Sequence, residues 1–176
     1  MQHPLYTIGH STRATAEFVA MLRRVDVDFL VDVRSVPWSR ANPQYNADVL
    51  PKALSRHRIG YRHIGALGGR RYRSRGAAPS PNTYWQNGSL RAYADYAATK
   101  AFRAALDELC DLAEEHRCVI MCAEALWWRC HRRIIADYLL ERGVEVVHIL
   151  GLDHLEPAAP TPGVRRLAPG VLVYRQ

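Results

Sequence analysis

The stretch VIMCAEALWWRCHRRIIADYLLERGVEVVHIL, residues 119–150, contains a complete strand–helix–strand pattern. Residues 119–122 form a short apolar run, which is typical of a buried strand. Residues 130–142 carry apolar side chains at helical spacing, and Gly143 is typical of the residue that follows a helix. Residues 144–150 are again apolar and rich in valine, which predicts a second buried strand. The stretch therefore predicts two strands of a parallel sheet joined by a helix.

The same alternation runs through the preceding part of the chain. Apolar runs predict strands at residues 5–8 and 29–33, and residues 59–64 predict a third strand from a weaker pattern. Helical patterns occur at residues 14–25, 47–57 and about 90–116. Apolar strands that alternate with helices are typical of a parallel sheet covered by helices. We therefore predict an α/β fold, a single Rossmann-like three-layer domain over residues 1–155 with a mainly parallel sheet of about five strands.

The C-terminal residues, 156–176, do not continue this alternation. Residues 156–163 are rich in proline and predict a connector. Residues 164–174 contain Ala-Pro-Gly at their middle, which predicts a turn between two short strands. We expect a terminal β-hairpin that packs on the same domain.

Composition and cysteine content favour a soluble protein with reduced thiols. Of the 176 residues, 48% are hydrophobic and 23% charged, which is ordinary for a globular domain. No apolar run reaches the roughly 18 residues of a membrane helix. The first residues lack a basic region followed by an apolar stretch, so we expect no export signal and a cytoplasmic location. The four cysteines are too few for a disulfide framework.

The net charge of +7 is concentrated in one segment. Residues 49–94 contain nine basic and no acidic side chains, whereas the rest of the chain has 15 basic and 17 acidic ones. Within this segment, residues 65–88 are rich in Gly, Pro, Ser and Arg and predict a long loop. Long loops are usually lids, binding loops or disordered segments. The charge belongs to a site at the strand ends only if this loop folds over them.

Polar and reactive side chains follow the predicted strands. In open α/β sheets, ligands bind outside the carboxyl ends of the strands. We therefore expect thiol, carboxylate, imidazole and guanidinium groups to converge at one edge of the sheet. The candidate catalytic residues are Cys122, Glu124, His131, Asp32 and His10.

The helix predicted to start near Cys130 favours an anion at this edge. Its free N–H groups and the positive end of its dipole would face the site, and a thiol beside such a helix start has a lowered pKa. The basic turn that follows Gly68 and Gly69 is flexible enough to wrap a phosphate. The candidate anion-binding residues are Arg34, Ser11, Cys130, Arg132, Arg70 and Arg71.

Structural interpretations of several of these residues remain open. Ser11 can cap the first helix, and Asp32 can form an ion pair with Arg34. A cysteine in an apolar strand, such as Cys122, is more often a core residue than a nucleophile. His148, inside the last predicted strand, is more often a core residue than a catalytic one.

Zinc is an alternative that the spacing does not favour. Cys122, Cys130 and His131, with His10 or His148, offer tetrahedral nitrogen and sulfur ligands. However, the chain has no C-x-x-C pair, and seven residues between the two cysteines are not a familiar zinc spacing. We therefore assign no metal ligand and no cofactor from the sequence.

Six motifs in chain order resemble a known family. They are TIGHST at 7–12, DVRSVP at 32–37, LGGR at 67–70, YADY at 93–96, MCAEALWWRCHRR at 121–133 and VVHI at 146–149. Together they resemble the family named domain of unknown function 488, over about residues 5–151, and the long Cys–Glu–Trp-Trp–Cys-His-Arg run is the most specific. The resemblance implies a single α/β domain and brings no established reaction.

The residues predict an enzyme, a hydrolase or transferase, that acts on a phosphate-bearing substrate such as a nucleotide or nucleic acid. Two alternatives remain. The first is a non-catalytic nucleic-acid-binding module that uses residues 49–94, where arginines alternate with Tyr and Trp, a combination suited to a phosphate backbone with stacked bases. The second is a metal-binding structural or sensor domain. We expect no membrane partner, and the sequence does not indicate an oligomeric state.

Overall fold

A computed structural model describes all 176 residues. The six strands of its main sheet are β1 (Leu5–Gly9), β2 (Phe29–Asp32), β3 (Gly60–His63), β4 (Cys118–Cys122), β5 (Val146–Gly151) and β6 (His154–Pro157). Their order across the sheet is β3-β2-β4-β1-β5-β6. The first five strands are parallel, and β6 pairs antiparallel with β5. The predicted α/β class with a mainly parallel sheet is confirmed.

Helices cover both faces of this sheet. They are α1 (Thr15–Arg24), α2 (Leu50–Ser55), α3 (Gly88–Ala97), α4 (Lys100–Glu115) and α5 (Arg132–Glu141). Side chains of α1 and α2 share a core with Leu30, whereas those of α3, α4 and α5 share a second core with Val31. Successive strand residues point to opposite faces of a sheet, so a strand covered on both sides must be apolar throughout.

The predicted C-terminal hairpin is also confirmed. It consists of β7 (Val164–Ala168) and β8 (Val171–Tyr174), and Gly170 between them adopts φ 69°. Leu172 and Tyr174 are buried in the core beside α3, α4 and α5. The backbone N–H of Tyr84 donates to the carbonyl oxygen of Tyr174 at 3.1 Å, so the hairpin also holds the long loop before α3.

Three elements differ from the sequence prediction. Strand β6 occupies His154–Pro157, where no strand was predicted. The helical region expected at about 90–116 is two helices, α3 and α4. Thr99 lies between them and caps α4, because its Oγ1 accepts from the N–H of Phe102 at 3.3 Å. Helix α5 begins at Arg132, and a 3₁₀ turn at Trp127–Arg129 precedes it.

The loops that follow β1 and β4 lie around one crevice. These two strands are neighbours, but the helix after β1 lies on one face of the sheet and the helix after β4 on the other. Crevices of this kind, at the carboxyl ends of parallel strands, are where α/β proteins bind ligands. No helix of the protein combines the length and the apolar character needed to cross a bilayer.

Candidate functional site

A pocket of about 540 Å³ opens at the carboxyl ends of β1, β2 and β4. Its walls come from the loops that follow these strands and from the loop between β3 and α3. Eight of the eleven predicted site residues line it: His10, Arg34, Arg70, Arg71, Cys122, Glu124, Cys130 and His131. The strand ends therefore bring most of the predicted residues together.

Asp32 and Arg34 form a buried ion pair at the end of β2. Arg34 donates from Nε to Oδ1 at 2.9 Å and from Nη2 to Oδ2 at 2.6 Å. Asp32 also accepts from the backbone N–H of Arg34 at 3.1 Å and from the hydroxyl of Tyr61 at 2.6 Å. Both carboxylate oxygens are therefore engaged within the protein, and Arg34 alone of the pair lines the pocket.

His10 lies between this arginine and an aromatic ring. Its imidazole stacks on Tyr45 with ring centroids 4.2 Å apart. Nδ1 lies 2.8 Å from the carbonyl oxygen of Ser11 and must donate to it, so Nε2 accepts from Arg34 Nη1 at 3.3 Å. Burial lowers the pKa of His10 to about 4. His10 is therefore a neutral acceptor that contacts the guanidinium group at the pocket wall.

Two cysteines and a histidine cluster beside His10, whose backbone N–H donates to the carbonyl oxygen of Cys122 at 2.9 Å. Cys122 is the last residue of β4, and Cys130 follows the 3₁₀ turn. Their Sγ atoms and Nδ1 of His131 all lie within 4.8 Å of one another, with Cys130 Sγ 3.5 Å from His131 Nδ1. Arg132 is buried beneath this cluster and donates from Nε to Cys130 Sγ at 3.3 Å.

The two thiols have opposite pKa shifts. Hydrogen bonding to Cys130, together with burial, raises the pKa of Cys122 well above its ordinary value. Burial also opposes ionisation of Cys130, but the hydrogen bond from Cys122 and the positive charge of Arg132 outweigh it and lower the pKa of Cys130 well below its ordinary value. These directions favour ionisation of Cys130 over ionisation of Cys122.

The orientation of His131 is fixed by the loop after β2. Its Nε2 lies 2.8 Å from the carbonyl oxygen of Val33 and donates to it, so the lone pair of Nδ1 faces the two sulfur atoms. Gly69 packs against the other side of the ring, and a Cβ atom at this position would lie 2.5 Å from Nδ1. The close approach of loop and ring therefore requires glycine.

The long loop folds over the strand ends. The N–H of Arg70 donates to Ser35 Oγ at 2.8 Å, and the hydroxyl groups of Tyr93 and Tyr96 donate to the carbonyl oxygens of Leu67 and Ala66. Arg71 stacks on the ring of Tyr96 at 3.8 Å and donates to two carbonyl oxygens of the loop. The guanidinium group of Arg71 therefore holds the loop, while that of Arg70 contacts no carboxylate.

Three predicted site residues do not line the pocket: Asp32, Ser11 and Arg132. Asp32 lies behind Arg34, and Arg132 donates to the carbonyl oxygen of Glu124 and to Cys130 from inside the core. Ser11 occupies a tight turn with φ 49°, and its N–H pairs with the carbonyl oxygen of Ala123. Ser11 does not cap α1, which begins without a side-chain cap.

The family model described as "Domain of unknown function DUF488" matches residues 14–139 of this chain. The chain belongs to this family. Comparisons with curated proteins and with solved structures found no match. The matched region of the DUF488 family includes Arg34, Arg70, Cys122, Cys130 and His131, whereas His10 and the C-terminal hairpin lie outside it.

The basic segment of this DUF488 chain does not form a single surface. Arg62 pairs with Glu108 at 2.5 Å and Arg73 with Asp95 at 2.9 Å, while Arg91 donates to the carbonyl oxygen of Trp85. Lys52 lies on α2 and Arg56 directly after it, and neither residue lines the pocket. Only the part of the segment around Arg70 contributes charge to the pocket.

Sequence reasoning did not select Trp38 and Arg129, two exposed residues that line the pocket. Trp38 is 61% exposed. Tyr72, which is 89% exposed and also lines the pocket, was predicted only as part of the segment rich in arginine and aromatic residues. Arg129 lies within the run of residues 121–133 that carries the family resemblance, so the sequence could have identified it as a candidate. Trp38 and Tyr72 belong to irregular loops, where no hydrophobic period indicates which way a side chain points.

Proposed function

We propose that this protein is an enzyme that acts on a phosphate-bearing substrate, a nucleotide or a nucleic acid, in the pocket above β1, β2 and β4. The observation that carries the proposal is the charge of the pocket: four arginines and a single carboxylate, that of Glu124, line it. Guanidinium groups match the geometry of phosphate oxygens and bind them through paired hydrogen bonds.

The arginines differ in their freedom to bind such a ligand. Arg70 and Arg129 are exposed at the rim, and neither side chain forms an ion pair or hydrogen bond within the protein. Arg34 is fixed at the wall by Asp32, and its Nη1 contacts only His10. In this proposal Arg34 supplies a preorganised charge, and the two rim arginines complete the phosphate site.

The aromatic residues at the rim favour a substrate with a planar group. Trp38 and Tyr72 line the pocket while most of each side chain is exposed. Exposed aromatic rings beside arginines suit the stacking of a nucleobase next to a phosphate. We therefore propose a nucleotide, free or within a nucleic-acid strand, as the substrate class.

The reactive groups proposed for this substrate are the thiol pair, His131 and Glu124. Cys130 has thiolate character and acts as nucleophile or metal ligand, with Cys122 as its partner. Glu124 is exposed and has one carboxylate oxygen bonded to the N–H of Leu126 at 3.0 Å, which leaves the other for proton transfer. Asp32 acts here by positioning Arg34, because both of its oxygens are engaged.

Calorimetric titration with AMP tests the binding part of the proposal. Arg70→Gln and Arg129→Gln should each weaken AMP binding about 10-fold, because each removes a charged hydrogen-bond donor. Arg56→Gln is the matched control, since Arg56 is exposed away from the pocket, and it should bind as the wild type does. The absence of saturable binding, or equal effects of all three substitutions, would contradict a phosphate site here.

Turnover is tested by incubating the protein with mononucleotides, dinucleotides and short RNA and following product by chromatography. Conversion should be lost in Cys130→Ser and kept in Cys110→Ser, since Cys110 lies on α4 outside the pocket. Salt-sensitive RNA binding without conversion of any of these compounds would instead favour the non-catalytic nucleic-acid-binding module.

A further inference from the structure

We propose that Cys122, Cys130 and His131 form a zinc site within the pocket, with three protein ligands and a fourth position that faces the substrate. The proposal goes beyond the phosphate-binding function, because it rests only on the ligand atoms and their surroundings. It also selects between the two roles left open for Cys130, since a thiolate bound to zinc is a ligand and not a nucleophile.

The spacing of the ligand atoms is close to that of a tetrahedral zinc site. With Zn–S bonds of about 2.3 Å and Zn–N bonds of about 2.0 Å, tetrahedral angles place two sulfurs about 3.8 Å apart and a sulfur and nitrogen about 3.5 Å apart. Cys130 Sγ and His131 Nδ1 are 3.5 Å apart, and no pair among the three atoms exceeds 4.8 Å. A shift of at most about 1.3 Å by Cys122 therefore completes the set.

The hydrogen bond of His131 is a second, independent observation. A histidine that binds zinc usually donates its other ring N–H to a carbonyl or carboxylate oxygen, which fixes the tautomer. His131 donates from Nε2 to the carbonyl oxygen of Val33 at 2.8 Å, and this leaves Nδ1 unprotonated toward the sulfur atoms. The ring is thus held in the orientation and protonation state of a ligand.

The sulfur ligands are supported by buried positive charge. Arg132 is 1% exposed and donates to Cys130 Sγ at 3.3 Å, as expected beside a thiolate. Two thiolates neutralise the charge of one zinc ion, so the bound site carries no net charge of its own. A neutral site is compatible with the nearby arginines, whereas two buried thiolates without a metal would repel each other.

The remaining histidines at this edge are engaged elsewhere. His10 uses Nδ1 and Nε2 on Ser11 and Arg34, and His148 Nδ1 lies 2.7 Å from Thr7 Oγ1 while its ring stacks on Trp127. Cys122, Cys130 and His131 are the residues whose ligand atoms lie within 4.8 Å of one another, so the protein supplies three ligands. Three protein ligands plus a water or substrate oxygen are typical of catalytic zinc sites, whereas structural sites use four protein ligands.

Zinc and cobalt titrations of the reduced, metal-free protein test the site. We expect one ion per chain after gel filtration, a thiolate-to-cobalt charge-transfer band, and protection of two thiols from a thiol reagent. Affinity for zinc, measured by competition with a chromophoric chelator, should fall at least about 100-fold in Cys122→Ser, Cys130→Ser and His131→Asn. Cys110→Ser is the matched control and should bind zinc as the wild type does.

Wild-type protein alone can overturn the proposal, so the result does not depend on whether a variant folds. Less than half an ion per chain at saturating zinc, or a cobalt complex without the thiolate band, would exclude the site. So would oxidation of Cys122 and Cys130 to a disulfide that zinc does not prevent. If AMP still binds in that case, only the zinc inference fails and the phosphate site stands.

Discussion

Asp32 holds Arg34 through two parallel hydrogen bonds of 2.9 and 2.6 Å, although only one residue separates them in the chain. Asp32 is fully buried and Arg34 is 5% exposed. The pair lies at the end of β2, where the chain leaves the sheet and the pocket begins. Because folding already orders this guanidinium group, binding of an anion to it loses less side-chain conformational entropy.

Removing the carboxylate charge of Asp32 should therefore affect both folding and binding. Asp32→Asn leaves the buried charge of Arg34 without its partner, and we expect a loss of about 3–5 kcal/mol in the free energy of unfolding. Urea denaturation measures this loss. Asp48→Asn is the control, because Asp48 is exposed and forms no ion pair, and it should change stability little. Equal stability of the two variants would show that the pair is not structural.

Gly69 should be intolerant of even a methyl group. In Gly69→Ala the new Cβ meets His131 Nδ1 at 2.5 Å, so either the ring or the loop must move, at an expected cost of about 1–3 kcal/mol. Zinc affinity should fall with stability, because His131 turns away from the cysteines. Gly88→Ala is the matched control, since its Cβ contacts nothing within 4 Å and alanine favours a helix. Wild-type zinc affinity in Gly69→Ala would contradict the role of His131.

Acid should destabilise the protein partly through His148. Burial, reinforced by the charge of Arg132 and opposed by Glu156, lowers the pKa of His148 to about 4. The unfolded chain, with a histidine pKa near 6.5, binds this proton first as the pH falls. The contribution of neutral His148 to stability is therefore complete above about pH 6.5 and declines toward pH 4, by at most about 3.4 kcal/mol.

The pH dependence is measured by urea denaturation between pH 4 and pH 7.5. His148→Gln keeps a hydrogen-bonding group for Thr7 but cannot be protonated, so its stability should fall less steeply with acid than that of the wild type. His57→Gln, on an exposed side chain, should retain the wild-type slope. An unchanged slope in His148→Gln would mean that His148 does not contribute to acid destabilisation.

The exposed aromatic residues should distinguish a nucleotide from bare phosphate. Trp38→Ala is expected to weaken AMP binding about 10-fold, because base stacking on an aromatic ring contributes about 1–3 kcal/mol. Binding of inorganic phosphate should be unchanged, since the arginines remain. Replacement of Trp128, which is 40% exposed but outside the pocket, is the control. An equal loss for both ligands would indicate damage to the pocket and not stacking.

The strands and helices were predictable where burial imposes a period on the sequence. Strands β1, β2, β4 and β5 are mainly apolar because helices cover both of their faces, whereas the edge strand β3 is polar and only half-buried. Each of the five was predicted within two residues. Strand β6 was missed, because an edge strand with exposed residues carries no apolar run. The break between α3 and α4 was missed because the pattern stays helical across Thr99, which the structure uses as a cap.

The candidate site was predictable as a set of residues but not in its geometry. The rule that ligands bind at strand ends brought His10, Arg34, Cys122 and His131 to one pocket. It did not indicate that Asp32 lies behind Arg34, or that Arg132 turns into the core. These directions depend on side-chain packing across the sheet, and no periodic pattern in the sequence encodes them.

The most direct test asks whether the proposed metal site and the proposed phosphate site lie side by side in the same pocket. The phosphorus NMR signal of inorganic phosphate is recorded with cobalt-loaded and zinc-loaded protein, both freed of unbound metal. If the arginines hold phosphate beside Cys122, Cys130 and His131, paramagnetic cobalt should strongly broaden the signal of exchanging phosphate, and Arg129→Gln should reduce the effect. Equal line widths with cobalt and zinc, in protein shown to bind one ion and to bind phosphate, would contradict the account.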